Sequence, residues 1–171
     1  DDVESRGLGD VYKRQADVTI EKVVSNSWPT SITAKNVTFT GTTYNSVSIN
    51  VEETATFNGG TYNNEVAVIG SENDAEAVIN GGVFNHNFKS SVDTTIKGGS
   101  LPYVDADTNG VADYMLIMNA GKTLTVEKAD SAFGPLFATS GADCKLVYDT
   151  QDIKDFYSGL EGSNWSNISV K

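Results

Sequence analysis

The sequence predicts an all-β chain wound into a β-solenoid, a parallel β-helix, with a small strand–helix–strand closing unit at the C-terminus. Three observations predict it. A glycine-marked motif recurs at near-constant intervals, alternating runs rich in Val, Ile, Thr and aromatics lead into each copy, and turn residues punctuate the runs.

The motif has four copies that align without gaps: Phe39-Thr-Gly-Thr-Thr-Tyr44-Asn45, Phe57-Asn-Gly-Gly-Thr-Tyr62-Asn63, Ile79-Asn-Gly-Gly-Val-Phe84-Asn85 and Ile96-Lys-Gly-Gly-Ser-Leu101-Pro102. The first positions step by 18, 22 and 17 residues (39 to 57, 57 to 79, 79 to 96). A coil of about twenty residues with two or three short strands is one rung, and rungs stack in parallel about 4.8 Å apart. Phe39, Phe57, Ile79 and Ile96 are expected to stack inside, each contributing roughly 1.5–3 kcal/mol on burial. Val47–Val51 and Val66–Val68 alternate in the same way and read as further strands.

Each Gly pair is expected at a corner that needs positive φ or close backbone approach. Gly81→Val should therefore cost more than Thr61→Val. Asn45, Asn63 and Asn85 fall at the next corner, where Asn tolerates the left-handed region and could stack as an amide ladder. An antiparallel sandwich with Gly turns is the competing reading, but it leaves the recurrence of one hexamer unexplained.

Three segments follow. Residues 1–15 read as a non-native or disordered tail, 16–114 as β-helix rungs, and 115–171 as final rungs and the closing segment. Within residues 4–15, SRGLGDVYKRQ resembles a translated sequencing-adaptor artefact and has no apolar period, so it is set aside from fold reasoning. That resemblance implies that the natural N-terminus is missing. Beyond Tyr114 the motif fades. Met115–Met118, Leu124–Val126 and Lys145–Tyr148 read as strands. Thr150 reads as the N-cap of a short helix over about 151–158, and Trp165–Val170 as a last strand.

The segments FNGGTYN, INGGVFN and IKGGSL resemble the I-x-G-G-x-F repeats of pectin-lyase-like, right-handed parallel β-helix proteins, most of all the repeat regions of bacterial surface or adhesin-like proteins. The resemblance covers roughly residues 36–102. It implies a right-handed parallel β-helix and an extracellular or bacterial cell-surface location. It does not choose an activity, because the same fold hosts polysaccharide lyases, glycoside hydrolases and phage tailspikes.

Composition narrows the partners. The net charge is −11, or −10 once the four acids and three bases of residues 1–15 are removed. Such a surface repels phosphate backbones and anionic lipid, so neither nucleic acid nor membrane insertion is expected. Nine basic residues remain beyond the tail (12 less 3), few for a cleft that binds a polyanion. One cysteine, Cys144, rules out an intrachain disulfide and a multi-cysteine zinc site.

One stretch resembles a calcium loop of the EF-hand or thrombospondin type 3 kind. Asp105, Asp107, Asn109 and Asp113 supply oxygens at positions 1, 3, 5 and 9, Gly110 gives the bend, and Val111 would contribute its carbonyl. Leu116 stands where an EF-hand has its bidentate Glu. A solvated turn is the competing reading, since turns favour Asp, Asn and Gly. Calcium is the one cofactor the sequence brings forward.

No catalytic set assembles from the sequence. His86, the only histidine, reads as a surface corner residue with no local acid or nucleophile. Glu72, Asp74 and Asp93 read as turn charges that could pair with acids on neighbouring rungs, as a glycosidase requires. Trp28, Tyr44, Tyr62, Tyr103 and Trp165 could stack on sugars, but Tyr44 and Tyr62 hold apolar motif positions and read as core. Asn36, Asn164 and Asn167 open glycosylation sequons of the kind that arise by chance in such a composition. The expectation is a non-enzymatic extracellular β-helix segment of a bacterial surface protein. It would act as a rigid spacer or adhesin that can engage a cell-surface glycan or host ligand. The alternative is a fragment of a polysaccharide-degrading lyase or glycoside hydrolase, or of a phage tailspike.

Overall fold

Period-two alternation places every second side chain on one side of a strand, so a stack of parallel strands buries one set of columns and exposes the other. The computed structural model of the chain has this arrangement. It describes residues 12–13, 17–21, 30–41, 43–100, 116–129, 137–139, 141–158 and 165–171.

Every strand pair in it is parallel, and the strands sort into three faces of a β-solenoid. The first face stacks β1 (Tyr12–Lys13), the front of β3 (Thr30–Phe39), the front of β5 (Val47–Tyr62), β6 (Val66–Gly70), β8 (Phe88–Ser90), β10 (Leu116–Met118) and β12 (Phe137–Thr139). The second face stacks β2 (Asp17–Ile20), the back of β3, the middle of β5, the front of β7 (Glu76–Phe84), β9 (Asp93–Ile96), β11 (Thr123–Val126), β13 (Lys145–Tyr148) and β14 (Asn167–Val170). The short third face stacks β4 (Thr43–Tyr44) on the ends of β5 and β7, with Ser100 bridged to Val83. Tyr12 and Lys13, inside the segment read as a tail, pair with Ile32 and Thr33.

The inward columns follow the motif. Phe39 pairs with Phe57, Phe57 with Ile79, Ile79 with Ile96, Ile96 with Val126 and Val126 with Tyr148, and all six are buried. The Phe39 and Phe57 rings stack at 5.0 Å and 3°. On the third face Tyr44, Tyr62 and Phe84 stack at 4.7 and 4.5 Å, close to the rung spacing. The two buried tyrosines keep their hydroxyls satisfied: Tyr44 donates to Ile20 O at 2.8 Å and Tyr62 to Gly59 O at 3.1 Å. Two hydroxyls also enter the interior. Thr94 donates to Ser90 Oγ at 2.8 Å, and Ser90 to Val92 O at 2.9 Å, so this pair is closed by its own corner.

The glycine expectation divides in two. Positive φ belongs to the second glycine of each pair: Gly60 (90°), Gly82 (112°) and Gly99 (97°). The first glycine is governed by close approach at Gly81 and Gly98, where a Cβ would press on a carbonyl of the rung beneath (2.9 Å from Asn58 O for Gly81), whereas a Cβ on Gly59 would meet nothing within 4 Å. The left-handed conformation expected at Asn45, Asn63 and Asn85 is not adopted. The Asn63 and Asn85 N–H groups donate to Tyr44 O and Tyr62 O, at 2.9 and 2.8 Å, so the corner continues the inter-rung hydrogen bonding without a positive φ. The amide stack there is loose, with Asn85 Nδ2 donating to Asn63 Oδ1 at 3.5 Å. The closer one lies at the motif's second position, where Asn80 Nδ2 donates to Asn58 Oδ1 at 2.9 Å.

The C-terminal unit is strand–helix–strand as expected. β13 leads into α1 (Gln151–Tyr157), whose N-cap Thr150 accepts from Ile153 N–H, and β14 follows. Ile153 and Tyr157 turn inward, and the Tyr157 ring lies over Tyr148 at 6.0 Å.

Candidate functional site

The corner between the first and second faces is where the rungs differ most. Ala34, Val51 and Gly70 are aligned on one side of it, and Asn36, Thr54 and Glu76 on the other. The chain crosses this corner with one residue in the first case (Lys35), two in the next (Glu52, Glu53) and five in the third (71–75). The lengthening corner carries acids with it. Glu52, Glu53, Thr54, Glu72, Asp74 and Glu76 line an open depression of about 400 Å³.

The acids are unequally compensated. Glu53 holds Lys35 at 2.9 Å and accepts from Asn36 Nδ2 at 3.1 Å. The Lys35 contact first, and the Asn36 bond after it, hold the Glu53 carboxyl below its ordinary value, and Glu53 raises Lys35 in return. Glu72, Asp74 and Glu76 have no ion-pair partner among the described residues. Glu76 is in register with Asp93 on the next strand, and Asp93 Oδ1 accepts from Thr123 N–H at 2.8 Å. Among the described residues no cluster of three or more His, Cys, Asp or Glu side chains is arranged to hold a metal ion.

Glu72 and Asp74, picked out from the sequence as turn charges, thus meet Glu52, Glu53 and Glu76 at one depression, and Asp93 adjoins Glu76 in the strand register. The calcium candidates Asp105, Asp107, Asn109, Val111 and Asp113 lie outside the described residues, as do Trp28, Tyr103 and Asn164. Tyr44 and Tyr62 are core, and burial raises both phenol pKa values. Trp165 packs partly against the core, with its indole N–H buried and without a partner among the described residues. His86 Nδ1 accepts from Asn87 N–H at 2.8 Å, within its own corner. The Asn36 amide is committed to Asp17, Glu53 and Thr54 N–H, whereas Asn167 is exposed on β14.

One outward column escaped the sequence reading. Between the two inward columns of the second face stand Thr19, Thr38, Thr56, Val78, Thr95, Thr125, Val147 and Ser169, in register from rung to rung. Its signal was present, because the residue before each motif's first apolar position is Thr38, Thr56, Val78 or Thr95. Adjacent β-branched residues at rung spacing favour the pleat and present a regular stripe of methyls and hydroxyls. The Asn58–Asn80 pair runs alongside. No helix among the described residues is long and apolar enough to cross a membrane. Comparison with protein-family models, with curated proteins and with solved structures returns no match.

Proposed function

We propose that this chain is a non-enzymatic, extracellular segment of a bacterial surface protein. It would serve as a rigid spacer or adhesin whose second face engages a cell-surface glycan. The observation that carries the reading is the unbroken register of eight parallel strands on that face, from Asp17–Ile20 to Asn167–Val170. Such a stack resists bending because each rung is hydrogen-bonded along its length to the next. Its Thr-rich stripe offers a repeating polymer a hydroxyl at six of its eight positions. The acidic depression beside it favours neutral over anionic polysaccharides. Binding to a panel of neutral polysaccharides without product release is expected, with Thr56→Lys and Thr95→Lys weakening it at least tenfold.

A second reading, a fragment of a glycoside hydrolase, draws on the register of Glu76 with Asp93, since neighbouring rungs bring two carboxylates close together. Release of reducing ends from any of these polysaccharides, abolished by Glu76→Gln or Asp93→Asn, would replace the first reading with this one. The loop Asp105–Asp113 is proposed as a calcium site, held by Asp105, Asp107, Asn109, Asp113 and the Val111 carbonyl. Melting should rise with calcium, and Asp105→Ala or Asp107→Ala should abolish that rise. Equal melting of the unsubstituted chain in calcium and in chelator would remove the site.

A further inference from the structure

An asparagine side chain closes on its own backbone when the next residue's nitrogen can reach the amide carbon, a donor takes up the developing oxyanion, and water can open the ring. Glycine in the next position favours the first condition, because no side chain hinders the approach. Asn-Gly pairs begin at Asn58, Asn80 and Asn109, of which Asn109 lies outside the described residues. Asn58 and Asn80 hold the second position of successive motifs, and both side chains are exposed.

The two pairs are not equivalent in the fold. Asn80 Nδ2 donates to Asn58 Oδ1 at 2.9 Å, so Asn58 is the residue whose amide oxygen receives a donor. Such a donor draws electron density from the amide carbon and stabilises the oxyanion that attack creates there. The glycines differ in the same sense. A Cβ on Gly59 would meet nothing within 4 Å, whereas one on Gly81 would lie 2.9 Å from Asn58 O. The register of β5 with β3 ends at Phe57 and that with β4 begins at Thr61. On the other side the register with β7 shifts around Asn58 and resumes at Thr61. Gly59 is therefore in register with neither neighbouring rung, at a bulge where the backbone has room to turn, while Gly81 is in register with Asn58.

From this arrangement we propose that Asn58 is a site of self-modification by deamidation in the folded chain, promoted by the Asn80 amide. The Gly59 nitrogen attacks Asn58 Cγ and gives its proton to solvent. The bond from Cγ to Nδ2 breaks, Nδ2 leaves as ammonia, and a cyclic succinimide remains. Water then adds to one of the ring carbonyls. Opening at Cγ gives aspartate, and opening at the main-chain carbonyl gives isoaspartate, with the chain running through the former side chain. The net change consumes one water and releases one ammonia, with no oxidation or reduction. Both products replace an uncharged amide by a carboxylate beside the Thr stripe, so the second face gains negative charge as the molecule ages. This chemistry does not depend on the ligand proposed for that face.

Peptide mapping by mass spectrometry of the full 171-residue chain, held in mildly alkaline buffer and sampled over time, tests the proposal. Asn58 should convert several-fold faster than Asn80 in the native chain. In urea the two rates should converge, because both are then unfolded Asn-Gly pairs in similar sequence. Asn80→Ala removes the donor and should slow conversion at Asn58 several-fold. Gly59→Ala, whose methyl has room in the fold, should slow it at least tenfold, with native circular dichroism in both variants. Equal or reversed rates in the native chain, a difference that persists in urea, or a rate at Asn58 unmoved by either substitution would overturn it.

Discussion

Gly82 and Gly59 occupy the two positions of the Gly pair in successive motifs, and the structure assigns them opposite responses to one added methyl. Gly82 has φ of 112°, and a Cβ there would lie 3.1 Å from Tyr62 Cε2 and 3.3 Å from the Gly59 and Gly60 carbonyl oxygens. The backbone conformation alone costs an L-residue roughly 1–2 kcal/mol, and displacing a stacked ring and two carbonyls adds to it. Gly59 has nothing within 4 Å of such a Cβ and no positive φ. Alanine there restricts the unfolded chain and returns about 0.4–1 kcal/mol. With about 2–4 °C of melting temperature per kcal/mol for a chain of this size, Gly82→Ala should melt about 4–8 °C lower and Gly59→Ala slightly higher than the parent. Thermal denaturation followed by far-ultraviolet circular dichroism reads both. Two variants that melt together, or a reversed order, would refute the assignment of strain to the second glycine.

Phe57→Ala removes a fully buried ring that stacks on Phe39 and meets Phe88 edge-on at 5.3 Å, and should cost about 3–5 kcal/mol in urea denaturation. A loss under about 1 kcal/mol would mean that the column is not packed as described. Burial, and after it the neighbouring Tyr44, raises the Tyr62 phenol above its ordinary value. The folded state therefore holds this proton more tightly, and the resulting stability is full below about pH 10 and lost as pH rises beyond it. Phenolate absorbance from all seven tyrosines while the circular dichroism is still native would contradict this. Glu53 has a lowered pKa, so its contribution is present above the ordinary carboxylate range and lost as pH falls through the folded value. In Lys35→Met its carboxyl resonance should titrate closer to the ordinary value, and an unchanged titration would show that the Lys35 contact is not the cause.

The stack was legible in the sequence because its determinant is one-dimensional. A rung repeats the demands of the rung before it, so Phe39, Phe57, Ile79 and Ile96 recur at intervals visible in the chain, and all four share one column. The C-terminal helix was legible for the same kind of reason, through Thr150 and the spacing of Ile153 and Tyr157. The conformation at Asn63 and Asn85 was misjudged because Asn preference for turns is a local statistic. At these corners the backbone N–H already has a carbonyl in the rung beneath, so the chain turns without the left-handed conformation.

The acidic corner was only half legible, and the reason lies in what a solenoid conserves. Strand registers are fixed by the apolar columns, but a corner can lengthen from one residue to five without disturbing them, as it does between Lys35 and residues 71–75. Sequence intervals therefore locate strands well and corner side chains poorly. Glu72 and Asp74 were visible as turn acids, but their meeting with Glu52 and Glu53 depends on two loops of unequal length rising from adjacent rungs. The Thr stripe is the opposite case, since its position inside every strand makes it as periodic as the core. For a chain built this way, outward columns within strands are the surface that sequence alone can map. A ligand that reads those columns is easier to anticipate than one held by the corners.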